Sequence, residues 1–303
     1  MEFLLPPVAE YGNRARSGPM RKPAETSRDR EDRNATSGSI FVSGPLRTGA
    51  PSQAMPTVVA RLARQTLESD LESLPNLAAR LTGPMLDCLE AYVALLLAAN
   101  QQLNLTRVTD PVAIGRQHLL DALVALPELD NVAPSTAVDI GSGGGLPAIP
   151  IAIARPDLSW LLLESVGKKA RALTGFADQL GLTGVAVLAE RAEVAGHDRR
   201  YRERAGLVTA RAVAALPVLA ELAMPLLAPG GLLLAWKGPL AAGDHELLTG
   251  ARAFAELGGG TPDVLAAGAP QLGGHTLMRV RKERATPARY PRKPGEPARR
   301  PLG

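Results

Sequence analysis

Apolar positions change their spacing along this chain, and the changes divide it. Through residues 1–56 they are scattered among Pro, Gly, Ser, Arg and Asp with no sustained period. Such a segment buries too little surface to offset its chain entropy, so a disordered extension is expected there. From 57 to 134 apolar residues recur at three- and four-residue steps, as across Leu86–Leu97, which predicts a helical region. Gly83-Pro84 is expected to open one helix, and Asn100 with Gln101-Gln102 to close it. A second helix is expected from Pro111, capped by Asp110, through His118 to Leu126, with Pro127 closing it.

At Ser135 the period shifts. Short β-branched and apolar runs at Thr136–Ile140, Trp160–Leu163, Val185–Ala189, Leu207–Ala210 and Leu232–Trp236 alternate with helical stretches at Leu146–Ala154, Lys168–Leu180 and Leu216–Leu227. That alternation predicts an α/β fold, a mostly parallel sheet covered on both faces. Pro229-Gly230-Gly231 reads as the turn into the Leu232 strand. His275–Val280 reads as a last, edge strand, preceded by a helix and a short strand. The Pro- and Arg-rich tail from Arg284 reads as irregular.

Composition narrows the class. The chain is 46% hydrophobic but only 3% aromatic, so its core must be aliphatic. The single cysteine, Cys88, excludes an internal disulfide framework and a Cys-based zinc site, and favours a reducing compartment. No apolar run reaches the roughly 18 residues of a membrane span. The opening Met-Glu-Phe-Leu-Leu-Pro-Pro lacks the basic start of a secretory signal. A cytoplasmic monomer without a membrane partner is expected. Charge is uneven: residues 281–303 carry eight basic and two acidic groups, whereas 57–280 carry 18 basic and 22 acidic. A basic tail on a weakly acidic body suggests a polyanionic partner.

The chemistry is concentrated after the first strand. Asp139-Ile-Gly141-Ser-Gly143-Gly-Gly145 joins that strand to a helix at its carboxyl end, where open α/β sheets bind ligands. Glycines at 141, 143 and 145 let backbone turn sharply and approach a ligand without a Cβ in the way. Leu146 stands where the dinucleotide fingerprint needs its third glycine, which speaks against a nicotinamide-dependent oxidoreductase. A phosphate loop of the Walker type is absent. Glu164, ending the second strand, is placed to accept both hydroxyls of a ribose. A glycine loop and a ribose acid without phosphate chemistry fit an adenosyl ligand. His118 and Asp121, three apart on a helix, are candidate pocket-wall residues. No nucleophilic Ser/His/Asp or Cys/His set is evident, and His197, His245 and His275 lack metal-ligand spacing.

These residues resemble the S-adenosylmethionine (SAM) dependent methyltransferase fold, a Rossmann-like seven-stranded sheet, and the resemblance narrows further. Asn104-Leu-Thr106, His118-Leu-Leu-Asp121, the glycine loop through Pro150, LLLESVGKKARAL, Ala210-Arg211-Ala212, Trp236-Lys237-Gly238 and Tyr290-Pro-Arg-Lys-Pro-Gly295 are similar, in order, to the glucose-inhibited division protein B family. Its members are bacterial methyltransferases acting on nitrogen-7 of one guanine in 16S ribosomal RNA of the small subunit. Ala148, Ala122 and Ala210 stand where that family usually has Gly, Ser and Ser.

The resemblance implies a helical subdomain over 57–134, a SAM-binding domain over 135–283 and a basic tail over 284–303. It further implies SAM contacts from Gly141, Gly143, Gly145, Leu146, Glu164, Ala192, Glu193 and Arg211. Positioning would fall to Arg211, His118 and Asp121, with no general base, because nitrogen-7 has no proton to lose. RNA would meet Lys237, Arg289, Tyr290, Arg292 and Lys293, with Tyr290 as a stacking partner. Loss of 287–303 is then expected to weaken RNA use and leave cofactor affinity unchanged. A non-catalytic ribosome-associated RNA binder remains the other reading open beside the oxidoreductase.

Overall fold

The computed structural model describes residues 54–133, 135–241 and 243–303. The expected extension over 1–56 lies outside them, except for residues 54–56, which are helical. Helix α1 spans Ala54–Leu71, the short α2 Pro75–Ala78, and α3 Gly83–Leu103. The Asn100-Gln101-Gln102 run closes α3 as expected, the last helical residue being Leu103. The Asn100 side chain holds the exit, Oδ1 accepting the N–H groups of Leu105 at 2.6 Å and Thr106 at 2.9 Å.

Helix α4 (Pro111–Ile114) starts on the expected cap, the Asp110 carboxylate accepting the Ala113 N–H at 2.9 Å. The helix then widens into a π turn over Gly115–Leu120 and resumes as α5 (Asp121–Leu123). Gly115 lets this turn lie against α1, since a Cβ there would come within 2.6 Å of the Ala63 carbonyl. That helix ends at Leu123, short of the expected Leu126, and Pro127 sits inside a separate 3-10 turn, Leu126–Leu129.

The α/β part follows as β1 (Thr136–Ile140), α6 (Ala148–Ala154), β2 (Ser159–Leu163), α7 (Gly167–Gln179), β3 (Val185–Leu188), α8 (Ala192–Ala195), β4 (Ala205–Arg211), α9 (Leu216–Ala223) and β5 (Leu227–Lys237). Helix α10 (His245–Glu256), β6 (Asp263–Ala266), β7 (Thr276–Arg281) and α11 (Glu296–Arg299) complete it. The strands form one sheet in the order β3-β2-β1-β4-β5-β7-β6. The first five are parallel, and β7 runs antiparallel to both β5 and β6. The sheet is thus the mostly parallel, seven-stranded one expected, with two corrections. The strand at His275–Val280 is not the edge: β7 is inserted between β5 and β6, and β6 is the edge. Pro229-Gly-Gly lies within β5, whose two parts both pair β4 across an irregularity between Ala205 and Leu207.

Side chains alternate across this sheet. Ala137, Trp160, Leu162, Leu207, Leu232 and Leu234 face a layer built from α1, α3, α6 and α7. Val138, Leu161, Leu163, Val208 and Leu233 face α9 and α10 on the other side. Burial on both faces explains why the strands read as continuous aliphatic runs. The helical region is therefore one wall of the sheet's own core. Tyr92 of α3 ties it to the glycine loop by donating its hydroxyl to the Gly144 carbonyl at 2.9 Å. Among the described residues no helix is long and apolar enough to cross a membrane.

Candidate functional site

Two cavities open at the carboxyl ends of the strands and share Val213 and Ala214 as a common wall. The first, about 320 Å³, is bounded by Gly141, Ser165, Ala192 and Glu193. Gly141 turns there with φ of +67°, and a Cβ would meet Val213 at 3.2 Å. Only glycine takes this conformation without strain. The loop is held from behind: the N–H groups of Gly141 and Ser142 donate to the Leu163 carbonyl at 2.9 and 3.1 Å.

The sequence-predicted cofactor residues separate here into two groups. Gly141, Ala192 and Glu193 line the first cavity and Arg211 the second; Gly143, Gly145, Leu146 and Glu164 line neither. Gly145 is required by packing, because a Cβ would fall 2.4 Å from Ile149 Cδ1. Leu146 is buried in the helix-side core. Glu164 is buried, and its carboxylate holds the loop, accepting the Gly143 N–H at 2.9 Å and the Val166 N–H at 2.7 Å. Each oxygen keeps a further acceptor direction.

The second cavity, about 380 Å³, is lined by His118, Asp121, Arg211, Trp236, Lys237 and His275, among others. Its centre is the Asp121 carboxylate, 4% exposed, with Arg211 Nη1 at 3.0 Å on one oxygen and His275 Nδ1 at 3.0 Å on the other. The Asp121 carbonyl accepts the Trp236 indole N–H at 2.6 Å, and Arg211 also donates to the Gln117 carbonyl at 2.7 Å. After Arg211 the backbone takes a left-handed turn at Ala212, φ +56°, a conformation costing an L-residue about 1–2 kcal/mol. Strain of this kind concentrates at functional sites. Lys237 is anchored at the rim by Glu246, 2.5 Å away.

Two buried ionisable groups lie alongside. His118 Nε2 meets the Thr106 hydroxyl at 2.7 Å, while its Nδ1 is buried without a partner. Burial, then the charge of Arg211, push the imidazole down to about 4, so it is neutral at neutral pH. Asp139 is fully buried beneath the glycine loop, one oxygen accepting the Thr209 hydroxyl at 2.6 Å and the other unpartnered. Burial pushes its carboxyl up to about 7.

The expected RNA residues of the tail are mostly occupied. Tyr290, expected as a stacking partner for RNA, is instead buried: its hydroxyl donates to Glu256, and the Arg289 guanidinium lies 4.9 Å over its ring. Arg292 is corrected likewise, being paired with the buried Glu221 at 2.5 Å. Arg289 and Lys293 are exposed. Sequence reasoning passed over Val213 and Ala214, His275 as a partner of Asp121, and three tail residues, Gly295, Pro297 and Ala298, that line the first cavity. Only the Tyr-Pro-Arg-Lys-Pro-Gly run carried a signal for the last.

Comparison with known proteins matches the sequence that builds this site to one family. The family model described as rRNA small subunit methyltransferase G matches residues 85–259, more than half of the chain. Ribosomal RNA small subunit methyltransferase G of Moorella thermoacetica is 42% identical over 217 residues, 71% of this chain and 89% of that protein. The protein of the same name from Deinococcus deserti is 42% identical over 73% of this chain and 90% of its own length. That from Rubrobacter xylanophilus is 41% identical over 80% and 93%. A sheet with one reversed strand, a glycine turn facing one cavity and a polar cavity beside it thus sit on a shared sequence: the chain belongs to the rRNA small subunit methyltransferase G family.

Proposed function

We propose that this protein transfers the methyl group of SAM to nitrogen-7 of a specific guanine in 16S ribosomal RNA, acting as a cytoplasmic monomer on the small subunit or its RNA. The observation that carries this reading is the junction of the two cavities at Val213–Ala214. One has a wall of bare backbone, the other a charged, partly aromatic lining, and a group bridging them would present its reactive end to a base.

The cofactor's adenosine end fits the first cavity. Gly141 borders it with bare backbone, a Cβ there would crowd Val213 of the same wall, and Glu193 supplies an acceptor. Gly141, Ala192 and Glu193 would hold that end, Glu164 would add its free acceptor directions toward the ribose, and Arg211 would face the methionine end. Bound SAM supplies an electrophilic methyl group on a sulfonium.

The protein's own share is positioning and charge. Nitrogen-7 of guanine offers an in-plane lone pair and no proton, so no general base is required. His118, neutral and buried, shapes the wall without exchanging a proton. Asp121 fixes the Arg211 guanidinium, which presents donors to the guest, and accepts the His275 Nδ1–H, which leaves Nε2 of the neutral ring as an acceptor. Fixing a nucleophile in line contributes about 7–11 kcal/mol in favourable cases.

The substrate base must leave its stack to enter the cavity. Lys237 at the rim, with exposed Arg289 and Lys293 of the tail, would take backbone phosphates. Such contacts position RNA without selecting a base. Titration calorimetry with SAM and with nicotinamide dinucleotides tests the assignment: SAM binding alone is expected, and dinucleotide binding in its place would overturn it.

A further inference from the structure

We propose that the C-terminal segment 291–298 is a wall of the cofactor cavity, and that Arg292 is the positioning residue that sets it there. The proposal rests on the reading that this cavity takes the adenosine end of SAM. Gly295, Pro297 and Ala298 line the cavity together with Gly141, Ala192 and Glu193. The tail, expected to be a free basic arm, is thus part of the pocket.

The segment is anchored at both ends and in the middle. Arg292 Nε lies 2.9 and 3.0 Å from the two carboxylate oxygens of Glu221, and Nη2 reaches the second at 2.5 Å. The Arg292 backbone N–H donates to the same carboxylate at 2.7 Å, and Glu221 is wholly buried in α9. Bidentate pairing of this kind fixes direction as well as distance. Nη2 also donates to the Arg300 carbonyl at 2.8 Å, drawing the last turn back onto the segment. Upstream, His197 Nε2 stands 2.5 Å from the Pro291 carbonyl, and Arg202 donates to the carbonyls of Tyr290 and Thr286. In the middle, the Gly295 N–H donates to Glu193 Oε1 at 2.9 Å.

That last bond links the tail to the site. Glu193 is the carboxylate of the cavity wall, and a tail N–H orients it. Pro297 and Ala298 add apolar surface to a cavity that Ile140, Leu163 and Val218 also line. A slot with apolar walls and a fixed carboxylate among them suits a flat heteroaromatic ring carrying an amino donor, which is the chemistry of adenine. Loss of the tail should therefore weaken cofactor binding itself.

The test is titration calorimetry of the full-length chain with SAM and with S-adenosylhomocysteine, paired with thermal melts with and without ligand. Ala298 is exposed, so Ala298→Trp fills the slot without removing an internal contact. It is expected to raise both dissociation constants about tenfold or more, to leave the ligand-free melting temperature unchanged, and to shrink the ligand-induced rise. The paired change Glu221→Gln with Arg292→Gln, which leaves no buried unpaired charge, is expected to weaken both ligands without altering the KM for RNA. If the unaltered chain binds SAM and both variants bind it equally well, the wall assignment is overturned and the cofactor reading stands. If the unaltered chain binds neither ligand, the cofactor reading falls and this proposal with it.

Discussion

Arg211 at the end of β4 and Asp121 of α5, ninety positions apart, meet at 3.0 Å with both side chains largely withdrawn from solvent. The pair joins the helical layer to the carboxyl end of the sheet, and Asp121 adds His275 and the Trp236 indole to the same cluster. Asp121→Ala leaves the Arg211 charge without its partner, a change that typically costs 3–5 kcal/mol at buried pairs. A loss of about 3 kcal/mol in urea unfolding is expected. Asp121→Asn keeps the shape and should lower kcat far more than it alters SAM affinity. Unchanged stability in the first variant would remove the pair from its structural role.

Gly141→Val tests the glycine turn. A branched side chain at φ +67° is strained, and its Cβ would press on Val213. SAM affinity measured by calorimetry should fall at least about tenfold. Gly145→Ala should act differently. Its Cβ would collide with Ile149, so the loss should appear in the melting temperature of the ligand-free protein.

Much of this could be read along the chain, and the exceptions have physical causes. The β-strand and helix alternation, the Asp110 cap and the glycine turn are local features, set by residues within a few positions of each other. The insertion of β7 between β5 and β6 is non-local, because nothing in the period of His275–Val280 states which strand it pairs. Pro229-Gly-Gly resembles a turn, yet the irregularity beside Leu207 lets the strand continue through it. The tail misled most. Three of its eight cations, Lys282, Arg289 and Arg292, are paired with Glu203, Glu256 and Glu221, acids from distant parts of the sequence. Glu221 alone interrupts the apolar helix Leu216–Ala223, and that lone acid was the legible sign of a buried partner.

The two buried titratable groups should oppose each other in acid. Asp139, pushed up to about 7 from 3.8, contributes stability present below its ordinary value and lost as pH rises through about 7. His118, pushed down to about 4 from 6.5, contributes stability present above 6.5 and lost as pH falls toward 4. Between about 4 and 6.5 the slopes cancel. Asp139→Asn should therefore unmask a loss of stability below pH 6.5, and His118→Gln a gain as pH falls from 7 to 4. Urea unfolding across that range measures both, and parallel curves for the three proteins would contradict the assignment.

Exposed cations of the tail should serve RNA alone. Lys293 and Arg299 are exposed, and neither lines either cavity. Lys293→Ala with Arg299→Ala should raise the KM for RNA and leave SAM affinity unchanged. Its dependence on salt should also flatten, by about one ion for each phosphate no longer bound. An unaltered salt slope would detach these residues from the substrate.

The account turns on what the two joined cavities do together, and the product shows this most directly. Small subunits incubated with labelled SAM and this protein can be mapped for 7-methylguanine by strand cleavage at the modified nucleotide. One guanine in 16S ribosomal RNA should become labelled and cleavable, with Asp121→Asn sharply reducing the yield. SAM binding without incorporation, or label on another base atom, would contradict the account.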